Sequence, residues 1–296
     1  MRSPALTALA IAARLRAPAN ALCTAAAPQL LQPGESRRLG GCVVDRCGNS
    51  LRLERVDAEP GNIQSEWRLD ERCAPDYAGV MADMALEALA GRRGARVLML
   101  GLGGGTIAAH MLLRAAEAAE PDWALSITAV EYDKDVSAAA QELFFPLMLD
   151  ASDAAASNMA RRVRVVEADA VSTVMEATAA AELGGAPFDC IVEDFAYARH
   201  GFAGTSEEFW RALRSLCAPG GVLLANTLYD EAHQMDALER DLRGAGWRHV
   251  TRRVDRGLQR DAPWERWGWP SGRGVAAEPT WRPRDNMIFR AVKPNT

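Results

Sequence analysis

The residues of this chain that are best suited to ligand chemistry stand directly after apolar runs. Residues 101–105 form the glycine-rich turn Gly-Leu-Gly-Gly-Gly after the run 97–100. Three further runs lead into carboxylates, at Glu131, Asp169 and Asp194. A glycine turn lets the backbone come close to a ligand, and a carboxylate at a strand end can accept hydrogen bonds from ribose hydroxyls. These residues therefore predict a site for a nucleotide or nucleoside cofactor.

Each of these features also has a purely structural interpretation. The glycine turn alone fits a tight strand-to-helix turn without a ligand. Its Gly-x-Gly-x-Gly spacing differs from the dinucleotide fingerprint, and it lacks the Lys-Ser/Thr pair of a P-loop. Glu131 also fits an ordinary helix N-cap region, in which Asp133 caps a helix that starts near Lys134. Both interpretations hold together if Glu131 binds a ligand and Asp133 caps the helix.

The apolar runs alternate with helical patterns, which predicts a parallel sheet with helices on both faces. The predicted strands are 97–100, 125–130, 162–166, 188–192, 222–225, 247–254 and 287–292, and the helices include 107–119 and 206–217. In such sheets ligands bind beyond the carboxyl ends of the strands. The glycine turn and the three carboxylates are all expected at that edge.

Several segments, in this order and spacing, resemble the class I S-adenosylmethionine-dependent transferases, and within them the spermidine synthase-like group. The matching segments are VLMLGLGGGT (97–106), ITAVEYDKDV (127–136), VRVVEADA (163–170), FDCIVEDF (188–195), EEFWRALRSL (207–216) and APGGVLLANT (218–227). The resemblance implies an α/β fold of the Rossmann-like class I methyltransferase type, with a mainly parallel seven-stranded sheet. It also implies a small N-terminal β-unit.

The N-terminal β-unit is expected over residues 35–75. Residues 42–56 alternate as a hairpin would, with a turn at 47–50. Gln64 resembles the family's ligand-contacting glutamine, and Tyr77 resembles a tyrosine at the start of the next helix. Two short strands that cap the sheet, without a ligand role for either side chain, fit these residues equally well.

The resemblance implies S-adenosylmethionine, or its decarboxylated form, as the cofactor. The glycines of the turn would lie against its amino-acid or aminopropyl portion, Glu131 would hold the ribose hydroxyls, and Asp169 would accept from the adenine amino group. The implied cofactor-binding residues are Gly101, Gly103, Gly105, Glu131, Asp169 and Ala170. Asp194 matches the family's acidic residue next to the reacting centre.

Three departures from the aminopropyltransferases concern acidic residues. Where the aminopropyltransferases have an acid inside the glycine turn, this chain has Gly104. Where they have a second acid, three residues after the one that matches Asp194, this chain has Tyr197. Their His-Glu pair after the tyrosine is Ala78-Gly79. A diamine needs several carboxylates, since an unpaired buried ammonium is costly. Methyl transfer is therefore expected over aminopropyl transfer, which stays an alternative, as does a non-catalytic binding protein.

Methyl transfer asks the protein to align the nucleophile, the carbon and the sulfur and to exclude water. Asp194 is the expected catalytic residue, because an amine nucleophile must lose a proton; Glu193 is the alternative. Tyr197 and His200 are expected to line the acceptor pocket, although His200 also fits a solvated loop.

The remaining segments complete the predicted organisation. Residues 1–34 carry three arginines and no acid, which is typical of a transit peptide for a mitochondrion or plastid. A secretory signal or a disordered tail also fits these residues. Without an organellar signal, the protein is expected in the cytoplasm. Residues 76–296 would form the Rossmann-like domain. Within it, the tryptophan-rich loop 257–285 is expected to fold over the acceptor pocket, make a subunit contact, or merely cover the sheet edge.

Composition limits the partners. The net charge is −5, and −8 without the first 34 residues, so a nucleic-acid substrate is not suggested. No apolar run approaches the roughly 18 residues that span a bilayer, and no Cys or His spacing indicates a metal site. The expected acceptor is a small molecule or a protein. The family's β-unit commonly mediates dimers, which makes a homodimer one expected assembly.

Overall fold

The computed structural model describes residues 31–57, 63–117, 124–149, 161–176, 181, 183–185, 187–195, 206–228, 232–255 and 286–295. The predictions for Tyr197, His200 and the loop 257–285 fall outside these residues, and so does nearly all of the segment 1–34. Leu31 is the first residue described; its side chain is 3% exposed and lies in the hydrophobic core.

The chain begins with a four-stranded antiparallel sheet in the order β1-β2-β3-β4. Its strands are β1 (Ser36–Leu39), β2 (Cys42–Cys47), β3 (Ser50–Arg55) and β4 (Ile63–Arg68). The predicted hairpin is confirmed: Cys47 pairs with Ser50, and Gly48 takes a positive φ of 57° in the turn between them. That conformation favours glycine because it has no Cβ.

A seven-stranded sheet follows, in the order β10-β11-β9-β8-β5-β6-β7. Its strands are β5 (Arg96–Leu100), β6 (Ser126–Glu131), β7 (Val163–Glu167), β8 (Phe188–Glu193), β9 (Cys217–Leu228), β10 (Arg248–Asp255) and β11 (Asn286–Val292). Strands β5 to β9 pair in parallel, whereas β11 is antiparallel to both of its neighbours. The predicted fold class, a mainly parallel seven-stranded sheet with an N-terminal β-unit, is confirmed.

Helices cover both faces of this sheet. They are α1 (Asp76–Leu89), α2 (Thr106–Glu117), α3 (Lys134–Ala139), a π-helical turn (Ala140–Phe144), α4 (Phe145–Met148), α5 (Ala170–Met175), α6 (Glu207–Leu216) and α7 (Ala232–Gly244). Asp133 caps α3 as predicted, since its carboxylate accepts from the N–H groups of Asp135 and Val136.

One predicted boundary differs from the structure, because β9 starts at Cys217 and not at Val222. Residues 218–221 still interrupt its pairing with β8: Phe188 pairs with Cys217, Cys190 pairs with Val222, and Gly220 takes a positive φ of 68°. The backbone there is paired with the residue after β11: the Gly220 N–H donates to the Lys293 carbonyl, and the Lys293 N–H donates to the Gly221 carbonyl. A partner distant in sequence thus extends the strand through a segment whose Pro-Gly-Gly pattern favours a turn.

The sheet separates two hydrophobic cores, as expected for buried strands whose side chains alternate between faces. The first core holds Val192 of β8 with α1, α2 and the β-unit, and the second holds Ile191 with α5, α6 and α7. Trp67 of β4 belongs to the first core, so the β-unit and the large sheet share one packed interior.

Candidate functional site

The glycine turn lies where the strand order changes direction. From β5 the chain proceeds to β6 and β7 on one side, while β8 and β9 lie on the other, and ligands bind at such switch points. The Gly101 N–H donates to the Val130 carbonyl at 2.9 Å. A Cβ at Gly101 would lie 2.6 Å from the Asp194 carbonyl oxygen. The ends of β5, β6 and β8 therefore meet closely around this turn.

Side chains from β4, from the π-helical turn and from the start of α4 fill one side of the glycine turn. The Gly104 N–H donates to the Ser65 hydroxyl at 2.7 Å. A Cβ on Gly104 would lie 2.9 Å from the Ser65 Cβ and 3.0 Å from the Phe144 ring, and one on Gly105 would lie 2.6 Å from the Phe145 ring. Close packing is thus enough to require these glycines, and their contact with a cofactor stays a prediction.

The Glu131 carboxylate lies against the same turn. One of its oxygens accepts from the N–H groups of Leu102, at 2.9 Å, and Gly103, at 3.2 Å, while the other accepts from the Asp133 N–H at 2.9 Å. Burial raises the pKa of Glu131, although the hydrogen bonds from Leu102 and Gly103 act in the opposite direction. The oxygen bound to Leu102 and Gly103 already accepts two hydrogen bonds, whereas the one bound to Asp133 accepts one and has a lone pair left for a ribose hydroxyl.

Two exposed side chains lie beside Glu131 at the ends of β6 and β7. One oxygen of Asp169 accepts from the Ser172 N–H at 2.7 Å and so caps α5, which begins at Ala170; the other oxygen is available to an adenine amino group. Tyr132 is 78% exposed. The sequence analysis gave Tyr132 no role, although its position directly after the predicted ribose-binding acid could have indicated an aromatic contact with the base.

Asp194 is the centre of a hydrogen-bonded group on the face of the first core. Its Oδ1 accepts from the Asn226 amide at 2.8 Å, and its Oδ2 accepts from the Tyr77 hydroxyl at 3.3 Å. Burial raises the pKa of Asp194 to about 6, against the effect of both hydrogen bonds. The structure therefore brings the predicted Tyr77 and Asp194 together, and it adds Asn226, which the sequence analysis missed.

The Asn226 amide has an unused acceptor. Its Oδ1 is buried and has no hydrogen-bond partner among the described residues, while its Nδ2 is held by Asp194. A buried polar atom of this kind is costly unless something pairs with it. The atom therefore leaves a hydrogen-bond acceptor beside Asp194 that has no partner among the described residues.

Glu193 lies on the opposite face, next to the second core. Its side chain alternates with Asp194 along β8, and the residue is only 5% exposed. Burial raises the pKa of Glu193 well above its usual range, and the neighbouring Asp194 charge acts in the same direction. Because it faces away from the Tyr77–Asp194–Asn226 group, Glu193 is poorly placed to be the alternative base.

Gln64 is exposed on β4, and its backbone carbonyl oxygen would lie 3.8 Å from a Cβ at Gly103. It is therefore next to the glycine turn, but none of the described contacts assigns its side chain a role. The glycine turn, Glu131, Asp169 and Asp194 lie at the carboxyl edge of the sheet, as predicted, and Gln64 and Tyr77 lie beside them.

The residues at this edge fit an adenosine-bearing cofactor. Carboxylates with free lone pairs suit ribose hydroxyls and an adenine amino group, and the exposed Tyr132 ring suits a base. The first turn of α2, directly after the glycine turn, contributes unpaired N–H groups and contains no acidic residue.

Two further features, a membrane-spanning helix and a metal-binding cluster, are absent from the described ranges. None of their helices is long and apolar enough to cross a membrane. Those ranges also contain no group of three His, Cys, Asp or Glu residues that could hold a metal ion.

By sequence, the chain matches no family model and no curated protein. By structure, it is similar to a "probable spermidine synthase" from Corynebacterium glutamicum, with 19% identity, a TM-score of 0.56, and coverage of 88% of this chain and 80% of that one. Spermidine synthase from Thermotoga maritima gives 15% identity, 88% and 73% coverage, and a TM-score of 0.49. Precorrin-6y C5,15-methyltransferase from Geobacter metallireducens gives 14% identity, coverage of 76% of this chain and 95% of that one, and a TM-score of 0.44.

The first of these similarities, together with the observed strand order and the N-terminal sheet, establishes the fold. The chain has the class I methyltransferase fold in the form found in a spermidine synthase-like protein.

Proposed function

We propose that this protein is an S-adenosylmethionine-dependent methyltransferase. The fold and the carboxylates at the strand ends support a transferase with an adenosine-bearing cofactor. When bound, S-adenosylmethionine supplies a methyl carbon on a sulfonium, which is open to attack by a nucleophile.

One observation favours methyl transfer over aminopropyl transfer. Two positions at which an aminopropyltransferase is expected to have acids are closed by packing in this chain. A Cβ at Gly79 would lie 2.4 Å from the Ala74 carbonyl oxygen, and one at Gly104 would lie 2.9 Å from Ser65 Cβ. Carboxylates cannot enter at either position without movement of the surrounding atoms. The site therefore lacks charges that a diamine and an aminopropyl ammonium would need.

Each remaining side chain has a role that its geometry supports. Glu131 holds the ribose, Asp169 holds the adenine amino group, and Tyr132 covers the base. Asp194 orients the acceptor and takes up the proton that an attacking amine loses, and Tyr77 positions its Oδ2. A pKa of about 6 leaves Asp194 ionised, and thus able to accept a proton, at neutral pH.

The acceptor is proposed to present an N–H or O–H group to this edge. Asp194 Oδ2 and Asn226 Oδ1 are both hydrogen-bond acceptors, and the second is unpaired among the described residues. Both a small molecule and a protein side chain meet this requirement.

Ligand-induced stabilisation tests the cofactor. S-adenosylmethionine at one hundred times its dissociation constant is expected to add about 2.7 kcal/mol to the free energy of unfolding. Stabilisation by the decarboxylated form alone would instead favour aminopropyl transfer. The absence of any stabilisation by S-adenosylmethionine, its demethylated product or the decarboxylated form would contradict the transferase proposal and favour a non-catalytic binding protein.

A screen of acceptors with labelled S-adenosylmethionine tests the reaction. We expect turnover to rise with pH through about 6 as Asp194 ionises. We expect Asp194→Asn to abolish turnover while cofactor affinity stays within a few-fold of the wild type. Full turnover by Asp194→Asn would show that its assigned role is wrong.

A further inference from the structure

We propose that the Ser65 hydroxyl binds the carboxylate of the cofactor's amino-acid portion and thereby makes the site prefer S-adenosylmethionine to its decarboxylated form. This inference rests on the proposed function and names the residue that sets its cofactor preference.

The hydroxyl is fixed at the glycine turn with its proton unused. Ser65 Oγ accepts from the Gly104 N–H at 2.7 Å. A serine hydroxyl both accepts and donates, and none of the described residues accepts a hydrogen bond from Ser65. Ser65 is half-buried, and it lies at the edge of the sheet where the cofactor is proposed to bind.

Ser65 also occupies the volume that an acidic side chain in the turn would need. Its Oγ lies 2.7 Å from the Cβ that Gly103 would carry, and its Cβ lies 2.9 Å from that of Gly104. A carboxylate at this place would accept hydrogen bonds and attract an ammonium. The hydroxyl instead offers a donor, which suits a ligand carboxylate.

The charges around Ser65 agree with this preference. The other side chain packed on Gly104 is the aromatic ring of Phe144, which carries no charge. Helix α2 begins two residues later, at Thr106, with its positive end toward the turn and without an acid in its first turn. The nearby carboxylate of Glu131 is engaged by the N–H groups of Leu102 and Gly103. A ligand carboxylate therefore meets a donor and a positive helix end.

The test compares the affinities of four nucleosides by isothermal titration calorimetry. S-adenosylmethionine and its demethylated product carry the carboxylate, whereas the decarboxylated form and methylthioadenosine do not. The proteins are the wild type, Ser65→Ala, and Ser65→Cys, which keeps the shape of the side chain but donates weakly. Ser215→Ala, which changes an exposed serine on α6, is the matched control. Thermal melting without ligand shows whether each variant is folded.

We expect both Ser65 variants to lose about tenfold or more in affinity for the two carboxylate-bearing nucleosides, as for the loss of a hydrogen bond to a charged group. We expect less than a twofold change for the other two nucleosides and for the control. An equal loss for all four nucleosides, or no loss, would overturn the assignment of Ser65 while the cofactor proposal stands. A wild type that binds none of them would remove both proposals.

Discussion

Glu193 provides the most direct test of the electrostatics at this sheet edge, through the substitution Glu193→Gln. Glutamine keeps the shape of the side chain and cannot ionise. Glu193 is 5% exposed, and burial raises its pKa well above its usual range. In the unfolded chain a glutamate has a pKa of about 4.3. Between these two values the folded protein holds a proton that the unfolded chain has released.

The sign and size of the effect follow from proton linkage. A group whose pKa is raised on folding contributes stability at low pH, and this contribution is lost as the pH rises toward its pKa in the folded protein. The loss is about 1.4 kcal/mol per pH unit. From pH 5 to pH 7 we therefore expect the wild type to lose up to about 2.7 kcal/mol relative to Glu193→Gln. Asp194 titrates in both proteins, so its contribution largely cancels in the difference.

Urea denaturation at pH 5, 6, 7 and 8 measures this difference. Tryptophan fluorescence, to which the fully buried Trp67, Trp210 and Trp247 contribute, reports unfolding, and the midpoint with a constant m-value gives the free energy. Glu142→Gln, which changes an exposed glutamate in the π-helical turn, controls for the loss of one negative charge. If the difference between Glu193→Gln and the wild type were independent of pH, the carboxyl would not be desolvated as the structure indicates, and the reasoning would be refuted.

Three further predictions concern other residues. Gly104→Ala is expected to destabilise the protein by about 1–3 kcal/mol, because its Cβ would overpack the turn; an unchanged urea midpoint would contradict this. Burial lowers the pKa of His110, so we expect the free energy of unfolding to fall as the pH drops below about 6.5 and the NMR titration of His110 to lie below that of an exposed histidine. Asn226→Ala removes a hydrogen bond that lowers the pKa of Asp194, so the carboxyl carbon of Asp194 should titrate at higher pH in NMR; an unchanged midpoint would show that the bond is weak.

The sequence predicted the elements that depend on local pattern. The run before Gly101 became β5, Asp133 capped α3, and the hairpin turn formed at Gly48. Each follows from apolar runs, capping chemistry or turn residues within a few positions along the chain. The placement of the glycine turn, Glu131 and Asp194 at one edge also followed, since strands of a parallel sheet end together. The contact of Asp194 with Tyr77, at the start of α1, did not follow from this argument.

The contacts that define the site were not predictable in this way. Ser65 and Gly104 are 39 residues apart, and Asn226 and Asp194 are 32 apart. No local pattern specifies such pairs, because they depend on how β4 and β9 approach the strand ends in three dimensions. Glu131 was identified from its position at the end of β6, but its bonds to the backbone of the glycine turn depend on the same packing.

The N-terminal β-unit is part of the site rather than an appendage to it. Ser65 bonds the glycine turn after β5, and Arg55 forms an ion pair with Asp133 in the loop after β6. Trp67 packs in the same hydrophobic core as the helices of the large sheet. Local stability follows such shared contacts, so the order of the β-unit and the order of these loops depend on each other. A ligand that holds the glycine turn and Glu131 is therefore expected to protect the amides of β4 from hydrogen exchange, although β4 need not touch the ligand through its backbone.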